Sequence, residues 1–133
     1  MAKGYKALLA EADALVTSLE VGEVAEISGD DGYRLIDIRD VREVERDGML
    51  PGAILAPRGM LEFWIDPESP YHKPFFAEDK AFVFYCASGW RSLLAARTAQ
   101  EMGLNVISMR GGFSTWKKAG LPVSAREKGG KAS

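Results

Sequence analysis

Ala81-Phe82-Val83-Phe84-Tyr85-Cys86-Ala87-Ser88-Gly89-Trp90-Arg91-Ser92 joins an apolar run to a short polar loop, and the reading of that junction decides the fold. The run from Ala81 to Tyr85 has the length and the aromatic and β-branched content of a buried strand. The loop feeds Leu93 to Met102, a stretch of strong helix formers that Gly103 ends. Cys86, the only cysteine, therefore stands at a strand's end beside a helix N-terminus. The thiolate, rather than the thiol, is the nucleophilic form of cysteine. A helix N-terminus offers roughly half a positive charge and unsatisfied N–H groups, Gly89 lets the loop aim further amides inward, and Arg91 adds a full charge. A lone cysteine is ordinarily a small buried hydrophobe. A core cysteine has no use for a Ser-Gly turn and an arginine before the next helix, whereas a loop that cradles an anion uses each of them.

Outward from this junction, strands alternate with helices. Upstream, Leu8, Leu9, Ala12, Leu15, Val16 and Leu19 recur at helical spacing and predict an amphipathic helix over Tyr5 to Leu19. A short helix is expected at Val21 to Ile27, a strand at Arg34 to Ile38, a charged helical turn or two at Val41 to Arg46, and a short apolar segment at Gly52 to Ala56. Met60 to Ile65 reads as helical, and the prolines at 67, 70 and 74 make the segment that follows irregular. Downstream, Asn105 to Met109 gives a last strand, and Arg110-Gly111-Gly112 turns into a helix from Ser114 to Ala119. This order predicts an α/β fold with a mainly parallel central sheet and helices on both faces. The expected organisation is an N-terminal helical extension over 1–19, one domain over 20–123 and a flexible tail over 124–133. In open α/β sheets ligands bind beyond the carboxyl ends of the strands, which is where Cys86 falls.

Composition narrows the function. The 133 residues are 47% hydrophobic and 27% charged, ordinary usage for one globular domain. A formal net charge of −2 gives no broad basic surface for nucleic acid or an acidic membrane. One cysteine excludes an intrachain disulfide, and one histidine, His72, leaves too few soft ligands for zinc, so neither a metal nor a cofactor is expected. No apolar run has the length of a membrane span, and Glu11 and Asp13 interrupt any signal-peptide core. The expected compartment is the cytoplasm, which keeps a thiol reduced.

Several separated motifs resemble those of a single-domain rhodanese, a sulfurtransferase. Cys86 to Ser92 resembles the family's active-site loop, and Leu35-Ile36-Asp37-Ile38-Arg39-Asp40 with Glu43 resembles its upstream signature. Gly48-Met49-Leu50-Pro51-Gly52-Ala53 is similar to the family's Gly-His-Ile-x-Gly-Ala, with Met49 in the histidine's place, a change read as structural. Arg110-Gly111-Gly112-Phe113 through Trp116 resembles the closing motif. The resemblance implies catalysis by Cys86, with substrate bound by Ala87, Ser88, Gly89, Trp90, Arg91 and Ser92. A sulfane sulfur would pass from a small donor such as thiosulfate, or from a persulfide, through a Cys86 persulfide to a thiol, cyanide or a protein acceptor.

Two other classes remain. Relatives that act as phosphatases or arsenate reductases carry five residues between cysteine and arginine, and here there are four, Ala87 to Trp90. A non-catalytic binding module of the same fold commonly lacks the cysteine. Asp37 and Arg39 are expected to form a buried or half-buried ion pair or turn-forming hydrogen bonds. Trp90 reads either as a lid packing on Trp64 or Phe63 or as a wall selecting the donor, Arg58 as a second anion contact, and His72 as a surface or packing residue.

Overall fold

The computed structural model describes residues 2–126. Five strands form one sheet: β1 (Thr17–Leu19), β2 (Tyr33–Asp37), β3 (Ile54–Leu55), β4 (Ala81–Tyr85) and β5 (Val106–Met109). Their spatial order is β1-β5-β4-β2-β3, and every pairing is parallel. The connecting helices are α1 (Tyr5–Leu15), α2 (Val21–Ile27), α3 (Val41–Asp47), α4 (Leu61–Ile65), α5 (Trp90–Glu101) and α6 (Gly112–Lys118).

β4 lies at the centre of the sheet and is apolar along its whole length because both of its faces are covered. Phe82, Phe84 and Cys86 point to the face where Leu61 and Ile65 of α4 and Ala95, Ala96 and Ala99 of α5 pack. Val83 and Tyr85 point to the other face, against Val24 of α2 and Phe113 and Trp116 of α6. Small alanines let α5 lie close to the sheet, and α1 packs against α5 from outside. The predicted α/β class, parallel sheet and two-sided cover are all present.

Three expectations need correction. The helix predicted over Tyr5 to Leu19 stops at Leu15; Val16 is extended, and Thr17–Leu19 forms an edge strand paired with Ile107, Ser108 and Met109. Val16 and Leu19 satisfy helical spacing and a strand equally, and the open edge of β5 decides between them. The span 1–19 is thus a helix followed by a strand of the sheet. At the other end, Ser124 exchanges two backbone hydrogen bonds with Met49, and Arg126 pairs with Glu45 at 3.1 Å, so the tail expected from residue 124 is anchored up to 126. Its remainder, 127–133, lies outside the described residues. Lastly, α5 begins at Trp90 rather than Leu93, and α6 at Gly112 rather than Ser114, because Gly89 and Gly111 adopt left-handed backbone (φ 102° and 81°) and cap the helices directly.

Candidate active site

Trp90, Arg91 and Ser92 are therefore the first turn of α5, and their amides are helix N-terminal donors. Cys86 lies at the carboxyl end of β4, fully buried. Its Sγ accepts the N–H of Gly89 at 3.2 Å and of Ser92 at 3.3 Å, while the thiol lies 3.5 Å from Ser92 Oγ. The Ser92 hydroxyl in turn donates to the Gly89 carbonyl at 3.2 Å, fixing the loop's curvature. The amides of Ala87, Ser88, Trp90 and Arg91 meet no acceptor among the described residues. Two donors on sulfur and four free ones around it, at the positive end of a twelve-residue helix, favour negative charge at this position.

The loop's carbonyls are held from behind. Phe113 N–H donates to the Cys86 carbonyl at 2.8 Å and Ser114 N–H to the Ala87 carbonyl at 3.0 Å. The first turn of α6 thereby takes up the acceptors and leaves the loop's donors for the sulfur. Gly112 makes this approach possible: a Cβ there would lie 2.6 Å from both carbonyl oxygens. The adjacent glycines after a strand were the sequence signal for this close contact.

Arg91 is not free. Its guanidinium forms a bidentate pair with Glu43 at 2.8 and 2.9 Å, joining α5 to α3. The Arg91 hydrogen bonds hold the Glu43 carboxyl at about 2, well below the usual carboxylate value. Glu43 raises the Arg91 pKa in return, with a smaller contribution from the nearby Cys86. Arg58 is likewise engaged, by Glu62 at 2.9 Å, although the backbone of Arg58 bonds to Ile38 at the same carboxyl end of the sheet. Sequence reasoning quoted Glu43 within a motif and missed it as the partner of Arg91, since their separation of 48 positions carries no local signal.

Asp37 and Arg39 form the expected ion pair, and it is buried: Arg39 bonds both carboxylate oxygens, donates to the Gly48 carbonyl at 2.7 Å, and stacks over Phe113 at 4.4 Å. Its guanidinium also faces Tyr85, whose hydroxyl accepts the Leu50 N–H at 3.1 Å. Burial, with Asp37 close by, pushes the Tyr85 phenol well above its ordinary pKa. This network ties the end of β2 to Gly48 after α3 and to Phe113 of α6. Met49, in the place of the expected histidine, fills an apolar cluster with Val44 and Leu55. His72 shares a hydrogen bond with the Trp64 carbonyl at 2.9 Å, as a packing residue would. Trp90 does not pack on Trp64 or Phe63; it is 58% exposed and its ring meets Tyr5 of α1 at 5.6 Å.

Fold and site define a class: a parallel α/β domain presenting one cysteine in an amide-lined loop at the sheet's carboxyl edge. A family model of the rhodanese-like domain matches residues 20–119, and the chain belongs to the rhodanese-like domain family. A sulfurtransferase of Allochromatium vinosum is 33% identical over 94 residues, which span 70% of this chain and 79% of that protein. A tRNA sulfurtransferase of Desulfurococcus amylolyticus is 37% identical over 99 residues, 74% of this chain but 17% of that protein, so the likeness is to a small part of it. Among solved structures, a Rhodopseudomonas palustris protein of unknown function, described as a possible tyrosine phosphatase, is 52% identical with a TM-score of 0.91, covering 93% of this chain and 96% of that one. A rhodanese-related protein of Thermoplasma volcanium, 24% identical with a TM-score of 0.68 over 83% of this chain and 99% of that one, shares the fold. Among the described residues no cluster of His, Cys, Asp and Glu could hold a metal, and no helix is long and apolar enough to cross a membrane.

Proposed function

We propose that the chain is a sulfurtransferase that carries a sulfane sulfur as a persulfide on Cys86. The observation behind this reading is the set of amides about Sγ, two bonded to it and four without an acceptor, which suits a sulfur anion extended by one atom. In the first step the Cys86 thiolate attacks the outer sulfur of a donor. With thiosulfate the S–S bond breaks, sulfite leaves with the electron pair, and Cys86 becomes a persulfide anion. In the second step an acceptor nucleophile, a thiolate or cyanide, takes the outer sulfur and the pair returns to Sγ. Covalent catalysis of this kind gives ping-pong kinetics. Cys86 is fully buried at rest, so a donor reaches Sγ when the groups over it shift.

The phosphatase reading, which the description of the Rhodopseudomonas palustris protein raises, fits these residues less well. It needs an arginine free to grasp a tetrahedral oxyanion, and here both oxygens of Glu43 hold Arg91. The same pairing argues that a dianion such as thiosulfate is a weaker donor than a persulfide. Residues 20–123 serve as the catalytic domain in this proposal, working where the thiol is kept reduced, as in cytoplasm.

Intact-mass spectrometry after thiosulfate treatment tests it. The expected result is addition of one sulfur, reversed by cyanide and absent in Cys86→Ala. Hydrolysis of an aryl phosphate by a protein that takes no sulfur from thiosulfate or mercaptopyruvate would sink the proposal.

A further inference from the structure

Beside the loop, between α1 and the N-terminus of α5, lies a cleft of about 160 Å³ that shares Ser88, Gly89 and Trp90 with the loop. Its lining includes Asp13, Ser18, Ser88, Leu93, Ser108 and Arg110. We propose that this cleft is the acceptor subsite, shaped for a small zwitterionic amino thiol of the cysteine or homocysteine class. The inference rests on the sulfurtransferase reading for its chemistry, though not for the binding itself.

Four observations support it. The first is position. Ser108 pairs in register with Phe84, two residues before Cys86 on β4, and Phe84 and Cys86 face the α5 side together. Gly89, whose amide donates to Sγ at 3.2 Å, forms part of the cleft wall, so an occupant with a short thiol arm would lie against the loop. The second is a polar lining. Ser108, a residue only 2% exposed, lines the cleft with a side chain that can both donate and accept a hydrogen bond. Ser18 is its register neighbour on β1, so two hydroxyl-bearing residues line the cleft side by side.

The third is charge. Arg110 pairs closely with Glu20 at 3.0 Å and loosely with Asp13 at 3.5 Å. More than half of the Arg110 and Asp13 side chains is exposed, so this pair is weak and easily opened. An amino acid entering between them would set its ammonium on Asp13 and its carboxylate on Arg110, replacing one ionic contact with two. The fourth is size. A space of about 160 Å³ holds several water molecules, which is room for an amino acid of this class. In the reaction the bound thiolate attacks the outer sulfur of the Cys86 persulfide. A new S–S bond forms on the acceptor, the bond to Sγ breaks, and its electron pair stays on Cys86 as the regenerated thiolate.

Two measurements separate this proposal from the one it rests on. Titration of the sulfur-free protein with L-serine, which cannot accept sulfur, should give saturable amide shifts in the NMR spectrum at Ser18, Ser108 and Arg110, weakened at least tenfold in Asp13→Asn and in Ser108→Ala. Absence of saturable shifts, or equal shifts with ethanol, overturns the cleft as an amino-acid site whether or not the protein carries sulfur. With persulfide-loaded protein in single turnover, L-cysteine should discharge sulfur at least tenfold faster than 3-mercaptopropionate or 2-mercaptoethanol, using cyanide discharge as the reference rate. Arg110→Gln should abolish that preference. Discharge rates that follow thiol basicity alone, with no advantage for the zwitterion, overturn the acceptor role.

Discussion

Glu43 sets the character of the site at the level of single residues. Its bidentate hold on Arg91 spends the loop's one full positive charge on a neighbour. Glu43→Gln should release that charge and lower the KM for thiosulfate several-fold while leaving a neutral donor less affected; steady-state kinetics with both donors checks it. The same substitution has a signature in stability. The carboxyl titrates at about 2 in the folded protein against 4.5 ordinarily, so its contribution is complete above pH 4.5 and is lost as the pH falls toward 2. Urea unfolding should show wild type ahead of Glu43→Gln by about 1 kcal/mol at pH 6, a gap that closes on acidification. Cys86 and its loop were legible in the sequence because residue type and local spacing carry them. The Arg91 partner, the Tyr5–Trp90 contact and the cleft were not, since each joins elements far apart in the chain.

At the scale of elements, the loop is shaped from two sides, by the first turn of α5 beneath the sulfur and the first turn of α6 behind the carbonyls. Both turns begin at a left-handed glycine, which sequence reasoning placed correctly as punctuation yet read as loop rather than cap, starting α5 three residues late and α6 two. Gly112 bears the closest approach, with φ at 65° and carbonyl oxygens 2.6 Å from where a Cβ would stand. Gly112→Ala should push α6 off the loop and cost about 2 kcal/mol or more, combining the clash with a positive φ. Sulfur loading should fall with it, because the Cys86 and Ala87 carbonyls would lose their donors. Native stability and full loading in that variant would mean that α6 does not shape the cradle.

For the whole molecule, the parallel order of the strands was legible because alternating elements and continuous apolar runs leave few other solutions. The outer boundaries were less so: β1 is three residues long, and its Val16 and Leu19 flanks fit a helix as well as a strand until β5 is known to have an open edge. The consequence is that the N-terminal segment belongs to the cooperative unit. Val16 packs in the core on the α5 side and Leu19 in the core on the α6 side. Burying a Val or Leu side chain stabilises by about 1.5–3 kcal/mol, so a chain starting at residue 20 should lose on the order of 3 kcal/mol, besides the contact of α1 with α5. A chain starting at Thr17, which keeps β1, should unfold at a midpoint between that chain and the full one. Circular dichroism and tryptophan fluorescence should report one coincident transition in the full chain, since Trp116 and Trp64 probe opposite faces of a sheet that both cores clamp. If removing residues 1–19 left the midpoint unchanged, β1 would be an ornament on the edge rather than a strand of the fold, and the cleft it helps to wall would lose its structural basis.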